Sequence, residues 1–235
     1  TYTPIFLVGC MFAALYSELG GNCRVLTIDY RVAPEHPYPA ALEDTISAYH
    51  WLLEQGYPAE KIVVAGDSAG GGLALALCLW LKNHKEPLPS GVIAMSPWTD
   101  LTISGESVET NFEKDPLFGK TRDSMLYNKD YLGDNDPTNE YISPLFGDYE
   151  GFPPLLIQVG SYEMLLSDST RVAKKAKEAG GKVKLSIYEG MFHVFQMAML
   201  LMPESKKAWA EIKRFLHYLD AEENEMQNIS KEEKA

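Results

Sequence analysis

Residues Gly66-Asp67-Ser68-Ala69-Gly70 carry the spacing Gly-x-Ser-x-Gly, and that spacing has a mechanical use. A serine hydroxyl becomes a nucleophile when a sharp turn lifts it clear of its surroundings and a base reaches its proton. The turn needs a strand before it, a helix after it and small neighbours, because the two backbones meet there. Lys61-Ile62-Val63-Val64-Ala65 reads as the strand. Gly71 and Gly72 lead into Leu73-Ala74-Leu75-Ala76-Leu77, which reads as the helix. Ser68 is therefore the candidate nucleophile. At the helix N-terminus the Ala69 N–H is the candidate donor to a developing oxyanion, and Asp67, beside both, is a candidate substrate-binding residue.

Such a serine needs a base, and the base needs a group that holds its tautomer. Among five histidines, His50 and His217 fall on amphipathic helical stretches, His84 in a charged segment and His36 in a proline-rich turn. His193 ends Glu189-Gly190-Met191-Phe192-His193, directly after the last apolar strand pattern. That is the carboxyl end of a strand, where open α/β sheets place ligands. The loop Gly160-Ser161-Tyr162-Glu163-Met164-Leu165-Leu166-Ser167-Asp168 offers two carboxylates. Asp168 has a ready role as a helix cap, with Ser167 competing for it. Glu163, flanked by apolar residues, needs a partner such as His193 if buried. Glu163 ranks first as the acid, ahead of Asp168 and of Asp100, which follows an earlier strand.

The elements that must position these groups alternate along the chain. Strands are expected at 4–8, 24–29, 61–66, 91–96, 154–159 and 183–188, and helices near 10–20, 39–55, 69–83, 168–179 and 203–221. The alternation predicts an α/β fold, a mostly parallel sheet with helices on both faces. Leu42, Ile46, Tyr49 and Leu53 form one apolar stripe, and Gly180-Gly181 marks a helix stop. Trp209, Ile212, Phe215, Leu216 and Leu219 share a face of the last helix. Residues 100–150 break the alternation and read as an insertion forming part of a cap. There Phe112, Phe118, Met125, Tyr127 and Tyr131 are either pocket lining or ordinary core. The expected organisation is one domain over 1–221 and a polar tail over 222–235.

Composition removes other classes. Of 235 residues, 46% are apolar and 23% charged, too apolar for a disordered chain, and the 18 glycines and 14 prolines are too few for a fibrous one. Twenty-one basic against thirty-three acidic side chains give a net charge of −12, which argues against a nucleic-acid partner. The longest apolar run, Leu73 to Leu81, is too short to span a bilayer, and no signal peptide is read in a chain that begins at Thr1. Cys10, Cys23 and Cys78 show no metal-type spacing and leave an odd thiol, favouring a reducing, cytoplasmic setting. Neither a metal nor an organic cofactor is expected.

Ser68, Glu163 and His193 occur in the order nucleophile, acid, histidine, each after a different strand, as in α/β-hydrolases. The chain resembles the hormone-sensitive-lipase-like esterases of that superfamily, the bacterial family IV carboxylesterases, over nearly its whole length. The likeness rests on four stretches: Asp29-Tyr30-Arg31-Val32-Ala33-Pro34-Glu35-His36-Pro37-Tyr38-Pro39-Ala40, Gly66-Asp67-Ser68-Ala69-Gly70-Gly71, Ser96-Pro97-Trp98-Thr99-Asp100-Leu101 and Glu189-Gly190-Met191-Phe192-His193-Val194-Phe195. The resemblance implies a serine carboxylesterase acting on small-molecule esters of short or medium acyl chain. It matches Ser68 to the nucleophile, His193 to the general base and Glu163 to the acid, where most members carry aspartate. Trp98, Met164, Leu165 and Phe195 are candidates to shape the acyl pocket, or else plain core. The family's His-Gly-Gly-Gly oxyanion loop has no counterpart between Val8 and Gly9, which leaves Ala69 as the expected N–H donor. Family members often dimerise through the last strand and helix, and the apolar face of the last helix permits a homodimer or packing on the sheet. The alternatives are a non-catalytic small-ligand-binding homologue, like the plant hormone receptors of this fold that lack the histidine, a truncated inactive form, or an amide or lactone substrate.

Overall fold

The computed structural model describes residues 12–119 and 129–232, with side chains described as far as Ala221. By its internal contacts the chain divides into two compact units, residues 30–195 and residues 1–29 with 196–235. The larger unit holds a four-stranded sheet: β1 (Val63–Asp67), β2 (Gly91–Met95), β3 (Leu155–Gly160) and β4 (Val183–Tyr188), in that spatial order and all parallel. Every residue of β2 and β3 is buried. This is what continuous apolar runs such as Gly91-Val92-Ile93-Ala94-Met95 require, since a parallel strand covered on both faces has no polar side.

A short helix over 12–19, α1, precedes the larger unit, which then contributes α2 (Ala40–Glu54), α3 (Ala69–Asn83) and α4 (Leu166–Glu178). Helix α3 is apolar nearly all round, and its buried positions run from Gly71 to Leu81, as a helix enclosed by other elements must be. Leu75, Cys78 and Leu79 meet Val92, Leu155, Ile157, Val172 and Ala176 in the main core. On α2 the expected stripe turns inward: Tyr49 and its neighbours Ile46 and Leu53 pack with Leu77 and Leu81 of α3. Helix α4 stops where the glycine pair predicts. Gly180 has φ of 82°, and the Gly181 N–H closes back on the Ala176 carbonyl at 2.9 Å.

Residues 100–150 carry no strand among those described, as expected of an insertion. They are not all peripheral. Leu145 and Tyr149 join the main core beside α3, and the fully buried Tyr149 hydroxyl donates to the Pro144 carbonyl. Met125 and Tyr127 lie outside the described residues.

The smaller unit departs from expectation in two places. Residues 24–29 form no strand, and Val25, Leu26 and Ile28 are 40–45% exposed. A strand exists against a neighbour that satisfies its N–H and C=O groups; the other strand expected in this unit, 4–8, lies outside the described residues. The last helix, α5 (Pro203–Glu232), runs well past residue 221, because the polar stretch after it is rich in strong helix formers such as Glu, Met, Gln and Lys. Its Trp209 packs against Phe12 and Tyr16, with ring centroids 5.3 Å away in both cases, and donates its indole N–H to the Gln196 carbonyl. Among the described residues no helix is long and apolar enough to cross a membrane.

Candidate active site

Ser68 joins β1 to α3 with φ 54° and ψ −122°. This is a left-handed, strained conformation for a residue with a side chain, and it persists only where the surroundings over-determine it. They do so through the backbone: the Ser68 N–H donates to Met95 O, and its carbonyl accepts from Trp98 N and Gly72 N, at 2.9–3.1 Å. The glycines are steric requirements. A Cβ on Gly66 would sit 2.2 Å from the Gly70 carbonyl oxygen, and one on Gly72 would sit 2.1 Å from that of Trp98. The strand and helix approach so closely that only glycine fits, and the serine stands at the apex with the Ala69 N–H in the first turn of a fifteen-residue helix.

Glu163 follows β3 in a tight turn and is fully buried. Its Oε2 lies 2.9 Å from His193 Nδ1; a carboxylate only accepts, so Nδ1 carries the proton and Nε2 is the ring's basic nitrogen. Its Oε1 accepts from the Gly160 N–H at 2.6 Å and from the Ser96 hydroxyl at 2.7 Å. His193 is 4% exposed, and the Phe118 ring stands edge-on to it with centroids 4.8 Å apart. Burial holds the Asp67 carboxyl above its ordinary value, and the charge of His193 acts on it in the opposite sense. The residue next to Ser68 is therefore within the electrostatic field of the histidine loop.

The structure gives the other two carboxylates different work. Asp168 does not cap α4, whose N-cap is Leu165 without a side-chain bond. Its Oδ2 instead reaches across to accept the Thr99 and Asp100 N–H groups at 2.7 and 2.9 Å. Burial pushes the Asp168 carboxyl up to about 7, against the lowering effect of the Thr99 N–H and with the charge of Asp100 adding to the rise. Asp100 is bound to Ser104, Thr102 and Arg171. Burial raises its carboxyl, but those hydrogen bonds outweigh it and the net shift is downward. Neither reaches His193 by a hydrogen bond among the described contacts.

Beside Ala69 lies a cavity of about 240 Å³ whose walls include Tyr30, Leu73, Trp98, Tyr131 and Tyr141. Of the four expected pocket residues, Trp98 lines it. Met164, Leu165 and Phe195 are at most 2% exposed and belong to the core, because the tight turn after β3 and the segment after His193 fold their apolar side chains inward. Tyr131 is a wall residue, Phe118 touches the histidine, and Phe112 is half-buried.

Sequence reasoning left three side chains without a role. Asn111 donates from Nδ2 to the Ser161 and Glu163 carbonyls, at 3.0 and 2.9 Å, and Asp115 accepts the Met164 N–H at 3.0 Å. Ser96 grips the acid directly. The signal for Ser96 was its place: it follows β2 at the same end of the sheet as Ser68, Glu163 and His193.

A turn this strained between a parallel strand and a helix, with a buried histidine–carboxylate pair on the loops after β3 and β4, defines the class of serine hydrolases built on an open α/β sheet. A family model described as alpha/beta hydrolase fold matches residues 15–197. An esterase of Acinetobacter venetianus is 44% identical over 210 residues, 88% of this chain and 69% of that protein. An acetyl-hydrolase of Streptomyces hygroscopicus is 41% identical over 196 residues, 83% of this chain and 65% of its own length. A crystal structure of an esterase from the bacterial hormone-sensitive lipase family superposes with a TM-score of 0.81 at 42% identity, covering 87% of this chain and 69% of that one. The chain belongs to the α/β-hydrolase family, in its hormone-sensitive-lipase-like branch of carboxylic ester hydrolases. It spans about two thirds of the length of these relatives.

Proposed function

We propose that Ser68, His193 and Glu163 act as nucleophile, general base and orienting acid in the hydrolysis of short- to medium-chain carboxylic esters. The observation that carries this reading is the buried 2.9 Å contact between His193 Nδ1 and Glu163 Oε2, on the loops facing a strained serine turn. His193 Nε2 takes the Ser68 proton as Oγ attacks the ester carbonyl. The oxyanion is met by the Ala69 N–H and the positive end of α3. As the tetrahedral adduct collapses, the proton passes to the departing alcohol and an acyl-serine remains. Water, deprotonated by the same nitrogen, then releases the acid and restores the serine. Glu163 holds the ring through Nδ1 and balances the imidazolium.

The cavity supports small, uncharged substrates. Its walls are aromatic and aliphatic, and the guanidinium in its lining, Arg31, is held by Asp44 and Glu43. Tyr131 and Tyr141 come from the 100–150 insertion, which supports its role as part of a cap. A cytoplasmic setting is supported by the odd thiol count, with Cys23 and Cys78 both free, and a homodimer by the edge position of β4, where Ile187 is 49% exposed; light scattering at micromolar concentration checks the latter.

Ser68→Ala is expected to abolish hydrolysis of p-nitrophenyl butyrate while leaving the fold intact. A fluorophosphonate is expected to add once to the wild-type mass and not to the variant. Full turnover by Ser68→Ala overturns the triad, and ligand binding without any adduct favours a non-catalytic homologue.

A further inference from the structure

Ser96 stands where β2 ends, fully buried, with φ of 48°. Its hydroxyl donates to Glu163 Oε1 at 2.7 Å and accepts the Val194 N–H at 3.1 Å. Its own N–H is anchored to the Gln158 carbonyl of β3 at 2.7 Å. Val194 follows His193 directly and has φ of 49°, a conformation a β-branched residue adopts only when held there. One oxygen therefore ties together the carboxylate of the acid and the backbone beside the base, and the residue that carries it is itself fixed to the central strands. A glutamate has one more rotatable bond than an aspartate, so its carboxylate needs more to hold it in register with the imidazole. Oε2 is engaged by the histidine; Oε1 is engaged by the Gly160 N–H and by Ser96.

We infer that Ser96 is a positioning residue for catalysis, setting the Glu163–His193 pair by holding Glu163 Oε1 and the Val194 N–H at once. This rests on the triad reading above. It touches no reacting atom. Its effect falls on the chemical step and not on substrate binding, because the cavity walls near Ala69 do not include it.

The test uses p-nitrophenyl butyrate with Ser96→Ala and Ser96→Gly, each checked for folding by circular dichroism and thermal melting. Glycine accepts a positive φ without strain, so Ser96→Gly removes the hydroxyl while relieving the backbone, and it keeps the test open where Ser96→Ala misfolds. A kcat lower by about 10- to 100-fold with KM within about twofold of wild type is expected for each folded variant. In a Glu163→Ala background the further loss on replacing Ser96 is expected to fall well short of its effect in the wild type, since the carboxylate it positions is gone. Wild-type kcat in folded Ser96→Gly, a change confined to KM, or losses that multiply in full with Glu163→Ala each overturn the proposal. Ser68→Ala and Glu163→Ala run alongside: if they remain active the triad fails and takes Ser96 with it, whereas their loss beside an active Ser96→Gly overturns the positioning role alone.

Discussion

The three carboxylates considered as the acid differ by environment more than by residue type. Glu163 is ringed by donors and faces a histidine. Asp100 has a cation and two hydroxyls. Asp168 has backbone donors but lies buried next to Asp100, and its carboxyl is held near 7. Its folded value thus lies above the unfolded value of about 3.9, so the native state keeps this proton longer than the unfolded chain does. The resulting contribution to stability is fully present below about pH 4 and is lost as pH rises to about 7, with a slope of at most about 1.4 kcal/mol per pH unit. The pull of Asp100 runs the other way, because its folded value is lowered, and it fades as pH falls through the acid range. Asp168→Asn removes the first effect and keeps the second. Melting curves from pH 4 to 8 are expected to show the variant gaining on wild type toward the alkaline end; parallel curves for the two proteins would contradict this assignment.

At the scale of elements, a strand end, a tight turn and a one-turn helix make the acid loop rigid. The helix Ser107–Thr110 leads into Asn111, whose amide clasps two carbonyls of the turn after β3. Ser107 and Ser167 exchange N–H to hydroxyl bonds on the other side of the same loop, at 2.8 and 2.9 Å. The first part of the insertion therefore acts as a strap on the Glu163 turn. Asn111→Ala takes its donor from the half-buried Ser161 carbonyl and one of two donors from the Glu163 carbonyl, which keeps the Leu166 N–H, and is expected to cost about 1–2 kcal/mol. This reads as a lower urea midpoint at unchanged slope, with kcat reduced at concentrations of urea that leave the wild type fully active. An unchanged midpoint would show that the strap holds nothing.

At the scale of the whole molecule, the net charge of −12 sets a field that every substrate meets before it meets the cavity. Neutral esters are indifferent to it, and anionic ones are repelled at long range. The Debye length shrinks from about 30 Å at 0.01 M salt to about 8 Å at 0.15 M, so added salt is expected to raise kcat/KM for mono-p-nitrophenyl succinate several-fold while leaving p-nitrophenyl butyrate unchanged. Equal salt responses of the two esters would place the acidic side chains away from the route to Ser68. The same field disfavours nucleic-acid phosphates as partners.

What could be read from the chain alone was local and periodic. The strand, turn and helix around Ser68 follow from apolar runs and glycines within about twenty residues, and four of the expected strands appear at β1 to β4 with boundaries shifted by two residues at most. His193 was legible because it directly follows a strand. The choice among Glu163, Asp168 and Asp100 was a ranking, since each lies near a strand end and sequence spacing does not say which way a side chain points. Tertiary structure separated them by bringing residues 67 to 98 positions apart into hydrogen-bond contact: Ser96 with Glu163, Thr99 with Asp168, Ser96 with Val194. Burial likewise removed Met164, Leu165 and Phe195 from the pocket and placed Tyr30 and Tyr141 in it. Backbone conformation is decided by neighbours in the chain, whereas the company a polar group keeps is decided by packing, and packing is a property of the whole fold.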